Sequence, residues 1–94
     1  MTKADIVDII SEGTGLTKVE TQAVVDGFMA TVQYALKKGE RVDLRGFGSF
    51  RPVRRKARIA RNPKTNDPVN VPEHNTVLFK PSKDLKTFLN KESK

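Results

Sequence analysis

Apolar positions along residues 1–39 recur at helical spacing. Ile6, Ile9 and Ile10 fall on one side of a first segment that Gly13 and Gly15 bring to an end. Thr2 followed by Asp5 has the pattern of a capping box, with a carboxylate near the positive pole of the helix. Thr17-Lys18-Val19-Glu20 is a second, stronger box. Behind it Val24, Phe28, Val32, Ala35 and Leu36 form one apolar stripe, with Ala23 beside it. Lys37-Lys38-Gly39 suits a helix end: cations at the negative pole, then a residue free to turn. Residues 1–39 are therefore predicted to form a helical hairpin.

The period then changes from 3.6 to 2. Arg41-Val42-Asp43-Leu44-Arg45 alternates, with Val42 and Leu44 on one face. Gly46-Phe47-Gly48 is a tight turn, and Ser49-Phe50-Arg51 opens the next strand. Residues 53–61 are basic and β-branched without a wide apolar face. Asn62-Pro63-Lys64-Thr65-Asn66-Asp67-Pro68 is dense in turn formers, and Val69-Asn70-Val71 alternates again. Residues 53–73 thus predict a two-stranded ribbon with nothing to bury, in which Pro68 and Pro72 spare an amide donor on an edge strand. Val77-Leu78-Phe79 returns to the core, and Ser82 caps a final helix bearing Leu85, Phe88 and Leu89 on one side. The expected fold is α+β and spans residues 1–94 as one domain. It comprises a helical dimerisation hairpin (1–39), a three-stranded antiparallel saddle (40–52 and 74–81), an extended β-ribbon arm (53–73) and a C-terminal helix (82–94).

Charge changes the picture most. The chain of 94 residues has a formal net charge of +7. Residues 1–40 hold four Lys against six Asp and Glu. Residues 41–64 hold nine Arg and Lys against Asp43 alone, a net of +8. Residues 65–94 add only +1, five Lys against Asp67, Glu73, Asp84 and Glu92. A basic block inside an otherwise near-neutral chain marks a polyanion surface, because clustered like charges repel one another in a way that dispersed charges avoid. A merely solvated charged face is the bland alternative.

Several function classes drop out. No apolar run approaches the ~20 residues of a membrane span, and Asp5 and Asp8 interrupt any signal-peptide core. With no Cys and a single His, thiolate chemistry and a His-pair zinc site are excluded, and no metal or cofactor is expected. Arg51 stands where a dinucleotide fingerprint starting at Gly46 needs its third Gly, and a strand rather than a helix follows, so an enzyme is not expected. His74, flanked by Glu73 and Asn75, lacks a nucleophile or second ligand and reads as a surface residue. A helix-turn-helix reader would start its second helix with base-reading side chains; here the hairpin is net acidic and broadly apolar. An RNA binder would want exposed aromatic platforms, and the arm has none.

The small body is marginal alone. Val25 and Met29 extend the apolar surface of the second helix beyond its stripe, which predicts a second copy that supplies the missing burial and a two-fold axis that presents two arms, the bland alternative being ordinary surface apolar residues. An Arg-rich ribbon can lie in a DNA groove with guanidinium groups on phosphates. Pro63, flanked by Arg61, Asn62 and Lys64, reads as a stiff apolar wedge of the kind that kinks duplexes from the minor groove, the alternative being a proline that simply makes the turn. Simple alternation splits Arg54, Lys56 and Arg58 from Arg55 and Arg61, so a bulge or strong twist is expected in the arm.

The run Gly39-Glu40-Arg41-Val42-Asp43-Leu44-Arg45-Gly46-Phe47-Gly48-Ser49-Phe50, with Ala60-Arg61-Asn62-Pro63-Lys64-Thr65 and Phe79-Lys80-Pro81, resembles the bacterial HU and integration host factor family of DNA-bending proteins. That family is itself a standard example of minor-groove benders. The resemblance covers essentially the whole chain. It implies an intertwined dimer whose two arms embrace duplex DNA, with bent, nicked or kinked forms preferred, and a place in the cytoplasmic nucleoid. A homodimer is implied and a heterodimer is compatible. By this likeness Pro63 intercalates, while Arg55, Arg58, Arg61, Asn62 and Lys64 act from the arm. Gly46 and Gly48 approach the DNA backbone, and Lys80, Lys83, Lys86 and, more weakly, Lys3 meet flanking phosphates. Phe28, Phe47, Phe50 and Phe79 pack in the dimer core. Ala60 and Asn66 stand where the family often has Gly; Asn still tolerates a left-handed backbone. Few side chains look devoted to base edges, so little sequence preference is expected, the alternatives being a sequence-preferring bender like integration host factor or an RNA-binding basic protein.

Overall fold

The computed structural model describes residues 1–91. The last stretch of the expected C-terminal helix, residues 92–94, lies outside the described residues. Met1–Tyr34 form one compact unit and the chain from Ala35 onward forms another.

In the first unit, α1 (Lys3–Thr14) starts at the Thr2–Asp5 capping box: the Thr2 amide donates to Asp5 at 2.9 Å and the Asp5 amide donates to Thr2 Oγ1 at 3.3 Å. Gly15 ends it in the left-handed region at φ 81°, its amide donating to the Ser11 carbonyl. The second box is equally complete, with Thr17 and Glu20 exchanging 3.0 Å bonds at the start of α2 (Lys18–Lys37). Val7 and Thr21 are buried; the Thr21 hydroxyl is satisfied by the Thr17 carbonyl at 2.9 Å. Lys3–Asp26 (2.8 Å) and Lys18–Asp8 (3.4 Å) bridge the two helices at the surface.

At the other end of α2, the Gly39 amide bonds the Leu36 carbonyl and the Glu40 amide bonds the Ala35 carbonyl, with Gly39 at φ 88°. This is a Schellman end, and it requires a residue tolerant of positive φ.

The second unit is built on a three-stranded antiparallel sheet in the order β1 (Val42–Leu44), β2 (Gly48–Arg55), β5 (His74–Pro81). The pairings Val42↔Phe50↔Phe79, Leu44↔Gly48↔Pro81 and Pro52↔Val77 put eight apolar residues or glycines on one face. Ser49↔Lys80, Arg51↔Leu78 and Val53↔Thr76 occupy the other. Phe79 sits between Phe47 and Phe50, with ring centroids 5.5 and 4.8 Å away and tilted planes. A second, two-stranded sheet of β3 (Arg58–Arg61) and β4 (Pro68–Val71) forms the ribbon. The last helix, α3 (Lys83–Lys91), is capped by Ser82, whose Oγ accepts the Leu85 amide at 3.0 Å.

One copy leaves much of this apolar surface uncovered. Phe28 is 48% exposed, Phe47 47%, Phe79 38% and Phe88 69%.

Gly48 is where side-chain volume is least tolerated. A Cβ there would lie 2.6 Å from Phe79 Cζ and 2.7 Å from the Lys80 carbonyl oxygen, and the ladder leaves that carbonyl no room to retreat. Gly48→Ala is therefore expected to destabilise the protein by about 1–3 kcal/mol. Gly13, inside α1 with nothing within 4 Å of its would-be Cβ, is the control. Gly13→Ala should instead stabilise by about 0.5–1 kcal/mol. Thermal melts of the two variants should move in opposite directions; a Gly48→Ala melt at or above the parent would contradict this packing.

Candidate nucleic-acid interface

The cations of the basic block are sorted by the ladder. On β2, Arg51 and Arg55 share the non-apolar face with Lys80 and His74 of β5, because Arg55 pairs with His74 and Ser49 with Lys80. Arg54 falls on the opposite face and is already engaged: it donates to Asn75 Oδ1 at 2.9 Å and pairs with Glu73 at 3.2 Å. Arg51 was not singled out from the sequence as a DNA-facing residue, although a period-two count along this strand aligns it with Arg55.

Between the saddle and the ribbon the ladder stops. Arg55↔His74 is the last pair of one sheet and Arg58↔Val71 the first of the next. Two residues are skipped on each side, Lys56 and Ala57 against Pro72 and Glu73, so the register is the same before and after. The break adds no residue to either strand, so it is not the bulge that the alternation of the cations led one to expect. Pro72 contributes a missing amide donor there. An open recess of about 530 Å³ lies at the break, lined by Arg55, Lys56 and Arg58 with His74 and Thr76. Strict alternation would part Arg55 from Arg58; the break lets both border one concavity. His74 Nδ1 lies 2.9 Å from the Pro72 carbonyl, the geometry of an N–H donated to that oxygen.

Beyond the break, Arg58↔Val71 and Ala60↔Val69 share one face, while Ile59↔Asn70 and Arg61↔Pro68 share the other. Arg58 and Arg61 therefore stand on opposite faces of the ribbon. Arg61 also braces the loop that follows it, since its Nη1 donates to the Asn66 carbonyl at 3.0 Å.

The tip is closed by its own hydrogen bonds. The Asn62 amide donates to the Asp67 carbonyl at 2.9 Å, and the Asn66 amide donates to the Asn62 carbonyl at 2.6 Å. The Lys64 amide donates to Asn62 Oδ1 at 2.9 Å, an Asx-type turn. Asn66 adopts φ 63°, the left-handed conformation that its small polar side chain tolerates. Pro63 and Lys64 stand exposed on this closed loop.

The remaining candidates lie elsewhere in the two units. Leu44 to Phe47 form a turn closed at 2.8 Å, with Gly46 at φ 85° and exposed. Gly48 is buried against Phe79, so its reason for being Gly is packing. Lys83 and Lys86 are exposed on α3, one turn apart. Lys3 is held by Asp26 in the helical unit. Among the described residues no group of acidic, His or Cys side chains could hold a metal ion, and no helix is long and apolar enough to cross a membrane.

Residues 1–90 match the family model of the bacterial DNA-binding protein. The chain belongs to that family. It is 42% identical over 91 residues to DNA-binding protein HU of Thermus thermophilus, covering 97% of this chain and 94% of that protein. It is 36% identical over 93 residues to integration host factor subunit alpha of Myxococcus xanthus, covering 99% and 72%. Among solved structures it resembles Anabaena HU cocrystallised with DNA, at a TM-score of 0.84 and 36% identity, over 95% of this chain and 97% of that one. HU from Thermotoga maritima superposes at 0.67 with 27% identity, over 95% and 98%. The chain is an architectural DNA-binding protein of the HU and integration host factor type, and DNA is its partner.

The Arg54–Glu73 pair makes one consequence measurable. Both side chains are about half exposed, so the pair itself adds little stability. Removing the acid releases one cation at the root of the arm. Glu73→Gln should tighten duplex binding modestly at low salt and steepen the log–log salt dependence by up to about one. An unchanged slope would mean that Arg54 does not reach phosphate even when freed.

Proposed function

We propose that two copies of this chain pair through their uncovered apolar faces and that the paired arms hold duplex DNA in the minor groove and bend it. The dimer reading rests on exposed Phe28, Phe47, Phe79 and Phe88, together with Val77 at 49% and Leu89 at 68%. Apolar surface of this extent is worth about 25 cal/mol per Å² on burial, and the described chain has one buried hydrophobic residue, Val7, with which to offset the entropy of folding.

The observation that carries the bending reading is the arm's tip. Pro63 sits exposed on a loop closed by its own hydrogen bonds, beyond Arg55, Lys56 and Arg58 along the chain and next to Lys64, and none of these cations has an acidic partner among the described residues. Free cations supply sequence-independent attraction to phosphates. A rigid apolar ring in front of them supplies the wedge that unstacks a base step. Arg51, Arg55 and Lys80, aligned on the polar face of the saddle, with Lys83 and Lys86 beyond it, meet flanking phosphates. Gly46 brings the turn's backbone close, and Lys3, occupied by Asp26, contributes least. Asn62 and Arg61 serve the tip chiefly by shaping it. Such a set reads the shape and deformability of DNA more than its bases, which favours nicked or kinked duplexes and a general role in the nucleoid.

Attraction and deformation are separable. Pro63→Ala keeps every charge and should reduce the bend angle, read by energy transfer between end-labelled duplexes, more than it reduces affinity for nicked DNA. Arg58→Ala leaves the tip's bonds intact and should weaken binding to all duplexes while lowering the salt slope by about one. A Pro63→Ala protein that bends DNA like the parent would reduce Pro63 to a turn residue.

The dimer has its own check. Unfolding coupled to dissociation makes the melting temperature rise with protein concentration. A concentration-independent melt with a monomer mass in solution would rule the pairing out.

A further inference from the structure

Asp67 is an acid in the part of the arm that leads toward DNA. The arm's other acid, Glu73, is paired with Arg54. Asp67 is exposed and has no ion pair among the described residues. Its backbone does the structural work: the carbonyl accepts from the Asn62 amide at 2.9 Å and the amide donates to Thr65 Oγ1 at 3.3 Å. Arg61, on the adjoining ladder pair, gives its Nη1 to the Asn66 carbonyl instead. The carboxylate is thus not needed to build the loop, and it lies directly across the hairpin from Asn62, the neighbour of Pro63.

A negative charge at that place works against phosphate binding unless the groove offers it a donor. An ionised carboxylate only accepts hydrogen bonds. In the minor groove an A·T pair presents only acceptors, while a G·C pair adds the guanine N2 amino group as a donor. A·T tracts also narrow the groove and deepen its negative potential.

We propose that Asp67 sets the base preference of the arm tip, its carboxylate accepting a hydrogen bond from the guanine N2 amino group beside the kinked step and disfavouring A·T tracts there. This rests on the reading that the arms enter the minor groove. The neighbouring donors Asn62 and Lys64 are left for the acceptors that every base pair presents.

The test uses the full-length dimer and nicked duplexes that fix where the kink forms. The duplexes are identical except for G·C, inosine·C or A·T pairs beside the nick. Inosine is guanine without the N2 amino group, so its minor-groove edge matches that of A·T. A charge-assisted hydrogen bond corresponds to about a tenfold preference of the parent for G·C over inosine·C. Asp67→Ala should bind all three duplexes nearly alike, and should bind the inosine and A·T forms more tightly than the parent does. Asp67→Asn removes the charge but keeps an acceptor, and should retain part of the preference; it also guards against a folding defect in the Ala variant. Inosine softens the duplex as well, so the difference between parent and Asp67→Ala isolates the side chain. A parent indifferent to the guanine-to-inosine change, or an Asp67→Ala protein with the parent's full preference, would overturn the proposal. Arg58→Ala on the same duplexes separates the two layers. If it weakens binding throughout while inosine has no effect, only the base preference fails. If it binds as the parent does, the arm is not on the DNA and the functional reading fails with it.

Discussion

The antiparallel pairing of Gly48–Arg55 with His74–Pro81 is the constraint from which the second unit follows. Because side chains alternate along paired strands, one register decides two faces at once. It gathers Phe50, Pro52, Val77, Phe79 and Pro81 on one side and Arg51, Arg55 and Lys80 on the other. A slip of one residue would put phenyl rings among the cations. Gly48 makes such a slip difficult, since only a residue without a Cβ fits between Phe79 and the Lys80 carbonyl. The same register resumes unchanged in the ribbon, so the arm is an extension of the saddle across a gap rather than an independent hairpin.

Small size turns this division into an assembly rule. A sheet with one apolar face must cover that face, and a chain of 94 residues has few elements with which to do it. The helical unit shows the same shortage, with Phe28, Val24 and Ile9 substantially exposed while Val7 is its one buried hydrophobic residue. Association with a second copy therefore meets a need of the fold, and the presentation of two arms follows from the symmetry of the pair. Function is in this sense downstream of an insufficient core.

Local features were legible in the sequence because their causes are local. Thr2–Asp5 and Thr17–Glu20 are capping boxes between near neighbours, and Gly39 closes a helix through bonds to residues a turn away. Asn66 at positive φ and Ser82 at a helix start are of the same kind. The shared face of Val42 and Leu44 was legible from their alternation. What stayed hidden depends on residues far apart in the chain. Lys56 and Ala57 carry no mark of the break, which arises only with Pro72 and Glu73 opposite. Gly48 reads as a turn glycine until Phe79 is laid over it. Arg54 and Arg55 are indistinguishable as letters, yet one is tied to Glu73 and the other borders the recess.

The stiffness of the tip matters as much as its charge. Fixing one flexible residue costs roughly 1–2 kcal/mol of backbone entropy, and smoothly bending a short duplex costs on the order of 1–6 kcal/mol. A floppy loop from Asn62 to Asp67 would have to be ordered at the moment of binding, at a cost comparable to the bend itself. Here the Asn62, Lys64 and Asn66 amides and the Arg61 guanidinium have already fixed it in the free protein. The entropy was lost on folding, where the rest of the fold offsets it, so contacts with DNA can be spent on deforming the duplex. On the proposed bending mechanism, this accounts for Arg61 and Asn62 directing hydrogen bonds into the tip. On the same proposed mechanism, a side chain that holds Pro63 still contributes to bending even where it touches no DNA.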